Sequence, residues 1–129
     1  MRISCLIVED ADFMREIYRY SLKNCPAINI IGEAVDGAQA MQMIAYHKPD
    51  VILLDLVLPL KSGLDILNEL SAISPKTKVV VISSIEDENV INKAKALGAI
   101  NYIKKPFTKA EIIETFNEIS RSYSEVQNG

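Results

Sequence analysis

Short runs of consecutive apolar residues alternate along the chain with longer stretches in which apolar residues recur every three or four positions. Ile3 to Val8 is the first run and reads as a strand. From Asp12, a residue suited to an N-cap, Phe13, Ile17 and Tyr20 (with Leu22) recur at helical spacing until Asn24-Cys25-Pro26 stops the pattern. Ile28 to Ala34 reads as a second strand and Asp36-Gly37 as a turn. Ala40, Met41, Ile44 and Ala45 mark a helix that ends at Lys48-Pro49. Val51 to Asp55 is apolar at successive positions up to its closing acid, as a strand covered on both faces would be. Leu64, Ile66, Leu67 and Leu70 mark a third helix, closed by Ser74-Pro75. Val79 to Ser83 is the fourth strand, and Val90, Ile91, Ala94 and Leu97 the fourth helix, with Gly98 at its C-terminal cap. Ile100 to Ile103 is the fifth strand. Thr108 and Glu111 have the spacing of a capping box, ahead of a helix whose apolar face is Ile112, Ile113, Phe116 and Ile119. Residues 1–122 make one domain, and a polar, frayed tail is expected over 123–129.

Five βα units predict an α/β fold: a doubly wound, parallel five-stranded sheet with helices on both faces. Right-handed crossovers leave few strand orders, and the flavodoxin-like 2-1-3-4-5 is one of the two common ones. The length of 129 residues suits one core of ordinary size. A net charge of −3 gives no electrostatic reason to expect nucleic acid or an anionic membrane as partner. No apolar stretch reaches the roughly 20 residues of a membrane span, and no signal-peptide pattern opens the chain. Cys5 and Cys25 are expected to be reduced thiols in a cytoplasmic protein.

Chemistry enters at the ends of the strands. The first run ends in Glu9-Asp10, the third in Asp55, the fourth in Ser83-Ser84, and the fifth leads into Lys104-Lys105-Pro106-Phe107. Ligands of open parallel sheets sit at these C-terminal ends. In the order 2-1-3-4-5 the first and third strands are neighbours, so Glu9, Asp10 and Asp55 converge. Crowded carboxylates raise one another's pKa, and a hard divalent cation such as Mg²⁺ relieves that repulsion. A carboxylate can act as nucleophile in phosphoryl transfer. Lys105 can then pair with the new phosphate, and Ser83 can donate a hydrogen bond to it.

On Val8-Glu9-Asp10, Leu53-Leu54-Asp55-Leu56 with Pro59 and Gly63, Ser83, and Lys105-Pro106-Phe107, the chain resembles the receiver domain of two-component response regulators in its stand-alone, chemotaxis-like form. The resemblance runs to about residue 121. It implies that Asp55 is the phosphoacceptor and that Glu9 and Asp10 hold Mg²⁺ with the Val57 carbonyl. It implies that Ser83 and Tyr102 form the switch, that Lys105 senses the phosphate, and that the Lys105–Pro106 bond is cis. It also implies a histidine kinase or phosphotransfer protein as donor and a downstream effector protein as target. The effector face would be formed by the fourth helix, fifth strand and fifth helix, where Lys93, Lys95, Ile100, Lys104 and, if exposed, Phe116 lie. A monomer or a phosphorylation-dependent dimer is expected. Val57 and Ile85 would flank the approach of hydrolytic water; both are apolar and β-branched, which predicts slow self-dephosphorylation. Leu58 stands where the family usually has methionine, and Ser84 where alanine is common; neither touches the chemistry.

Two rival readings are weaker. Asp10-Ala11-Asp12 fits the D-x-D motif of haloacid-dehalogenase-type phosphatases, but Met14 stands where Thr or Val is expected and Asp55 is left without a role. A flavodoxin-like FMN carrier needs a hydroxyl- and glycine-rich loop after the first strand, where this chain has Glu9-Asp10-Ala11-Asp12.

Overall fold

The computed structural model describes the backbone of residues 2–128 and the side chains through residue 124. Its elements run β1 (Ile3–Val8), α1 (Asp12–Leu22), β2 (Ile28–Ala34), α2 (Gly37–His47), β3 (Val51–Leu54), α3 (Gly63–Ile73), β4 (Lys78–Ser83), α4 (Glu88–Ala96), β5 (Ala99–Lys104) and α5 (Lys109–Asn128). All strand pairs are parallel, in the order β2-β1-β3-β4-β5. This is the α/β architecture that the alternating pattern predicts.

Successive strand residues point to opposite faces, and two cores result. Cys5, Ile7, Leu53, Val80 and Ile82 lie on the face covered by α1 and α5, with Tyr18, Leu22, Ile112 and Phe116. Leu6, Val8, Ile52, Leu54, Val79 and Val81 lie on the other, with Ala40, Ile44, Ile66, Leu67, Leu70 and Ala94. Both thiols are free and buried, and burial pushes that of Cys5 up to about 12, so it packs as a small apolar group.

Side-chain caps set most helix starts. Asp36, Ser62 and Asp87 accept from the amides of Gln39, Asp65 and Asn89, and Thr108 and Glu111 form the reciprocal capping box. Gly98, just past α4, has φ +112, a conformation that glycine adopts without cost.

Four details differ from the sequence reading. Asp12 is the first helical residue, not the cap; Ala11 holds the cap position without a side-chain bond, and Asp12 pairs with Arg15. The buried stripe of α1 is Tyr18, Ser21 and Leu22 with Met14 packed alongside, whereas Phe13 and Tyr20 are 70% and 62% exposed. Residues 13/17/20 and 14/18/21 both have helical spacing. The polar Ser21 hides the second stripe in the sequence, and its hydroxyl is satisfied by the Ile17 carbonyl at 2.9 Å. Phe116 is fully buried and drops out of the surface proposed for effectors. The backbone remains helical past residue 122 to Asn128. Tyr123 is tied to the domain through a hydrogen bond to the Asp50 carbonyl and the Lys78 ammonium over its ring; Gly129 lies outside the described residues.

Candidate functional site

Strand register determines which polar groups meet at the rim. Val8 pairs with Leu54, so the next residues, Glu9 and Asp55, stand side by side. The ladder continues one residue further on each strand. The Asp55 amide donates to the Val8 carbonyl (3.0 Å), that of Glu9 to Ala34 (3.0 Å), and that of Lys105 to Ser83 (2.9 Å). These residues leave the sheet in fixed positions, not on free loops. Gly63 closes the loop behind Asp55: its amide donates to Leu56, and a Cβ there would lie 2.6 Å from the Asp55 carbonyl oxygen.

Carboxylate oxygens of Glu9, Asp10 and Asp55 lie within 4.8 Å of one another; Glu9 and Asp55 are buried and Asp10 is exposed. Lys105 Nζ bridges the two buried acids, 2.9 Å from Glu9 Oε1 and 2.9 Å from Asp55 Oδ2. The second oxygens are also held, Asp55 Oδ1 by the Val57 amide (3.1 Å) and Glu9 Oε2 by the Ala11 amide (3.2 Å). Burial, with the Asp55 charge adding to it, raises the Glu9 carboxyl above its ordinary range despite the Lys105 hydrogen bond. Burial alone would lower the Lys105 ammonium. The hydrogen bonds and charges of Asp55 and Glu9 outweigh it and leave lysine above its usual value.

One ammonium among three carboxylates leaves the cleft with excess negative charge. An oxygen-only donor set with excess negative charge fits a hard divalent cation. It does not fit an unaccompanied anion.

Ser83 is fully buried at the end of β4. Its hydroxyl accepts from the Ile85 amide (3.3 Å), while the Tyr102 hydroxyl donates to the Ile85 carbonyl (2.9 Å). The backbone of Ile85 therefore couples the two predicted switch residues, a role that no side-chain pattern in the sequence signals. Tyr102 is half-buried, and its phenol is raised by burial ahead of the nearby Asp55 charge. The Val57 side chain is 58% exposed and that of Ile85 partly buried. The Lys105–Pro106 peptide bond is cis. Tyr18 was also outside the sequence reading: it lies on the inner stripe of α1, donates to Glu9 Oε1, and stacks on Phe107.

The response regulator receiver domain family matches residues 5–117. Protein CcdB of Bacillus subtilis is 33% identical over 88% of this chain and 94% of its own length. Chemotaxis protein CheY of Thermotoga maritima is 31% identical over 90% of this chain and 96% of its own. Among solved structures, the receiver domain of the response regulator AraT from Geobacillus stearothermophilus superposes with a TM-score of 0.89 at 25% identity, covering 98% of this chain and 99% of that one. Register, acidic rim and near-complete coverage agree: the chain belongs to the response regulator receiver domain family and serves phosphorylation-dependent two-component signalling in the general sense.

Proposed function

We propose that this domain is a phosphoryl-operated switch whose acceptor is Asp55. The observation that carries the reading is Lys105 Nζ at 2.9 Å from both Asp55 and Glu9, across strand ends that also bring Asp10 within reach. An Asp55 carboxylate oxygen attacks the phosphorus of a donor phosphohistidine. The new O–P bond forms as the P–N bond breaks, and the imidazole departs with the electron pair. Glu9, Asp10 and Asp55, with the Val57 carbonyl, would hold Mg²⁺; when bound, it neutralises the negative charge that two anions otherwise oppose to each other. Lys105 then exchanges a carboxylate partner for a phosphoryl oxygen, and Ser83 donates to another.

The phosphoryl group brings about −1.5 to −2 charge and three acceptor oxygens. Drawing the Ser83 hydroxyl toward it breaks the Ile85 amide contact. The Ile85 backbone then moves, and Tyr102, bonded to the carbonyl of the same residue, swings inward. That rearrangement changes the face of α4, β5 and α5, where Ile100 is half exposed and Lys93, Lys95 and Lys104 are exposed, and so regulates an effector protein. The donor is a histidine kinase or phosphotransfer protein. The working form is a monomer or a phosphorylation-dependent dimer, and two buried free thiols suit a reducing cytoplasm.

The phosphatase alternative would make Asp10 the nucleophile with Asp12 beside it. Asp12 is 95% exposed and paired with Arg15, which disfavours that reading. Incubation with Mg²⁺ and a small phosphodonor such as acetyl phosphate is the test. Wild type is expected to gain one phosphoryl group, and Asp55→Asn or chelated wild type none. Uptake by Asp55→Asn equal to that of wild type would refute the assignment.

A further inference from the structure

Tyr18 is fully buried, yet its hydroxyl is not surplus. It donates to Glu9 Oε1 at 3.4 Å from the core side, while Lys105 Nζ approaches the same oxygen from the cleft at 2.9 Å. The Tyr18 ring stacks on Phe107, with centroids 5.8 Å apart and planes at 28°, so the same residue touches the segment that carries Lys105. A core position at this depth needs only an apolar ring, and a buried hydroxyl without an acceptor is costly. Here the acceptor is a carboxylate of the acidic cluster.

Glutamate has one more side-chain torsion than aspartate. A glutamate that binds a cation must have that torsion held, or the ordering opposes binding. We infer that Tyr18 is a positioning residue for the cation site, its hydroxyl fixing the Glu9 carboxylate toward Asp10 and Asp55. The inference rests on the proposed Mg²⁺ site. Lys105 cannot supply this function throughout the cycle, because its ammonium is drawn to the phosphoryl oxygens once Asp55 is modified. Tyr18 is buried in the core under α1 and α5 and keeps its contact. As a neutral donor it orients the carboxylate without adding a positive charge that would repel the metal.

Mg²⁺ titrations followed by amide chemical shifts test this without any phosphoryl donor. Tyr18→Phe removes the hydroxyl and keeps the ring. Mg²⁺ binding is expected to weaken about tenfold with unchanged melting. In a Glu9→Asp background, whose shorter side chain cannot meet the hydroxyl, Tyr18→Phe should have no further effect. Phe107→Leu, which loosens the stack and keeps the hydroxyl, should bind Mg²⁺ like wild type. Equal affinities of Tyr18→Phe and wild type would overturn the inference. So would an equal loss from Tyr18→Phe in the wild-type and Glu9→Asp backgrounds, or the same loss in Phe107→Leu. Wild type that binds no Mg²⁺ would instead remove the cation site itself, and the inference with it.

Discussion

At the N-terminal end of the sheet, Asp50 Oδ2 accepts the Ser4 amide (2.8 Å) and hydroxyl (3.1 Å), and the Ser4 hydroxyl in turn accepts the Asp50 amide (2.9 Å). The Asp50 carbonyl takes the Lys78 amide and the Tyr123 hydroxyl, and Thr77 bonds to Pro49 and Ser74. At the C-terminal end, the carboxylates of Glu9, Asp10 and Asp55 crowd within 4.8 Å, and Glu9 and Asp55 share Lys105. Both ends place an acid directly at a terminus of β3. One is matched by neutral donors that add no strain, and it ties β1 to the loop before β3. The other keeps excess negative charge beside a bridging cation, an arrangement that fits a hard divalent metal. The N-terminal rim holds one acid by hydrogen bonds alone, whereas the C-terminal rim gathers three acids around one ammonium.

Exchange of one acid at a time separates the two roles most sharply. Asp50→Ala leaves the part-buried Ser4 amide unsatisfied and should cost about 2 kcal/mol of folding stability. Phosphoryl uptake per folded molecule should be unaltered. Asp55→Asn should abolish uptake without lowering the denaturation midpoint, since it relieves repulsion in the cleft. Denaturant titration together with a phosphorylation assay reads both; loss of uptake in folded Asp50→Ala would erase the distinction between the two ends.

The next effect concerns how long the charged end stays modified. Val57 and Ile85, apolar and stiff at χ1, are proposed to shield the acyl phosphate from in-line water. Phosphoryl loss should quicken in Val57→Asn and further in Val57→Asn/Ile85→Glu, by about tenfold overall if the barrier drops about 1.4 kcal/mol. Unchanged or slower loss in the double variant would remove the shielding role and leave Asp55 untouched. A smaller effect is expected from Ser83→Ala, which keeps the acceptor but loses the hydroxyl that the Ile85 amide holds. It should take up phosphate yet show a reduced shift change in α4 and β5 on adding a phosphate mimic. A response equal to that of wild type would count against the Ser83–Ile85–Tyr102 linkage.

The contrast between the two ends also explains what could be read from the sequence. The doubly covered parallel sheet and the acidic rim were legible because consecutive apolar residues in Val51–Leu54 demand cover on both faces, and because the acids follow directly on such runs; the pattern alone left the strand order among the common ones. The facing of α1 was not, since two stripes compete and the inner one contains Tyr18 and Ser21, whose polar atoms are satisfied only by groups that the fold supplies. The same holds for the Ile85 backbone and for the Ser4–Asp50 pair, 46 residues apart: backbone partners leave no mark on side-chain pattern. Past residue 122, α5 brings Tyr123 to the Asp50 carbonyl, a contact equally invisible in composition.

Which carboxylate carries the phosphoryl group is the point on which the account turns. Phosphorylation with Mg²⁺ and acetyl phosphate, reduction of the acyl phosphate with borohydride, and peptide mass spectrometry would identify the modified residue. Conversion of Asp55 to homoserine, with Asp10 and Glu9 intact, is the result predicted by this account. Modification at Asp10 with Asp55 unchanged would contradict it.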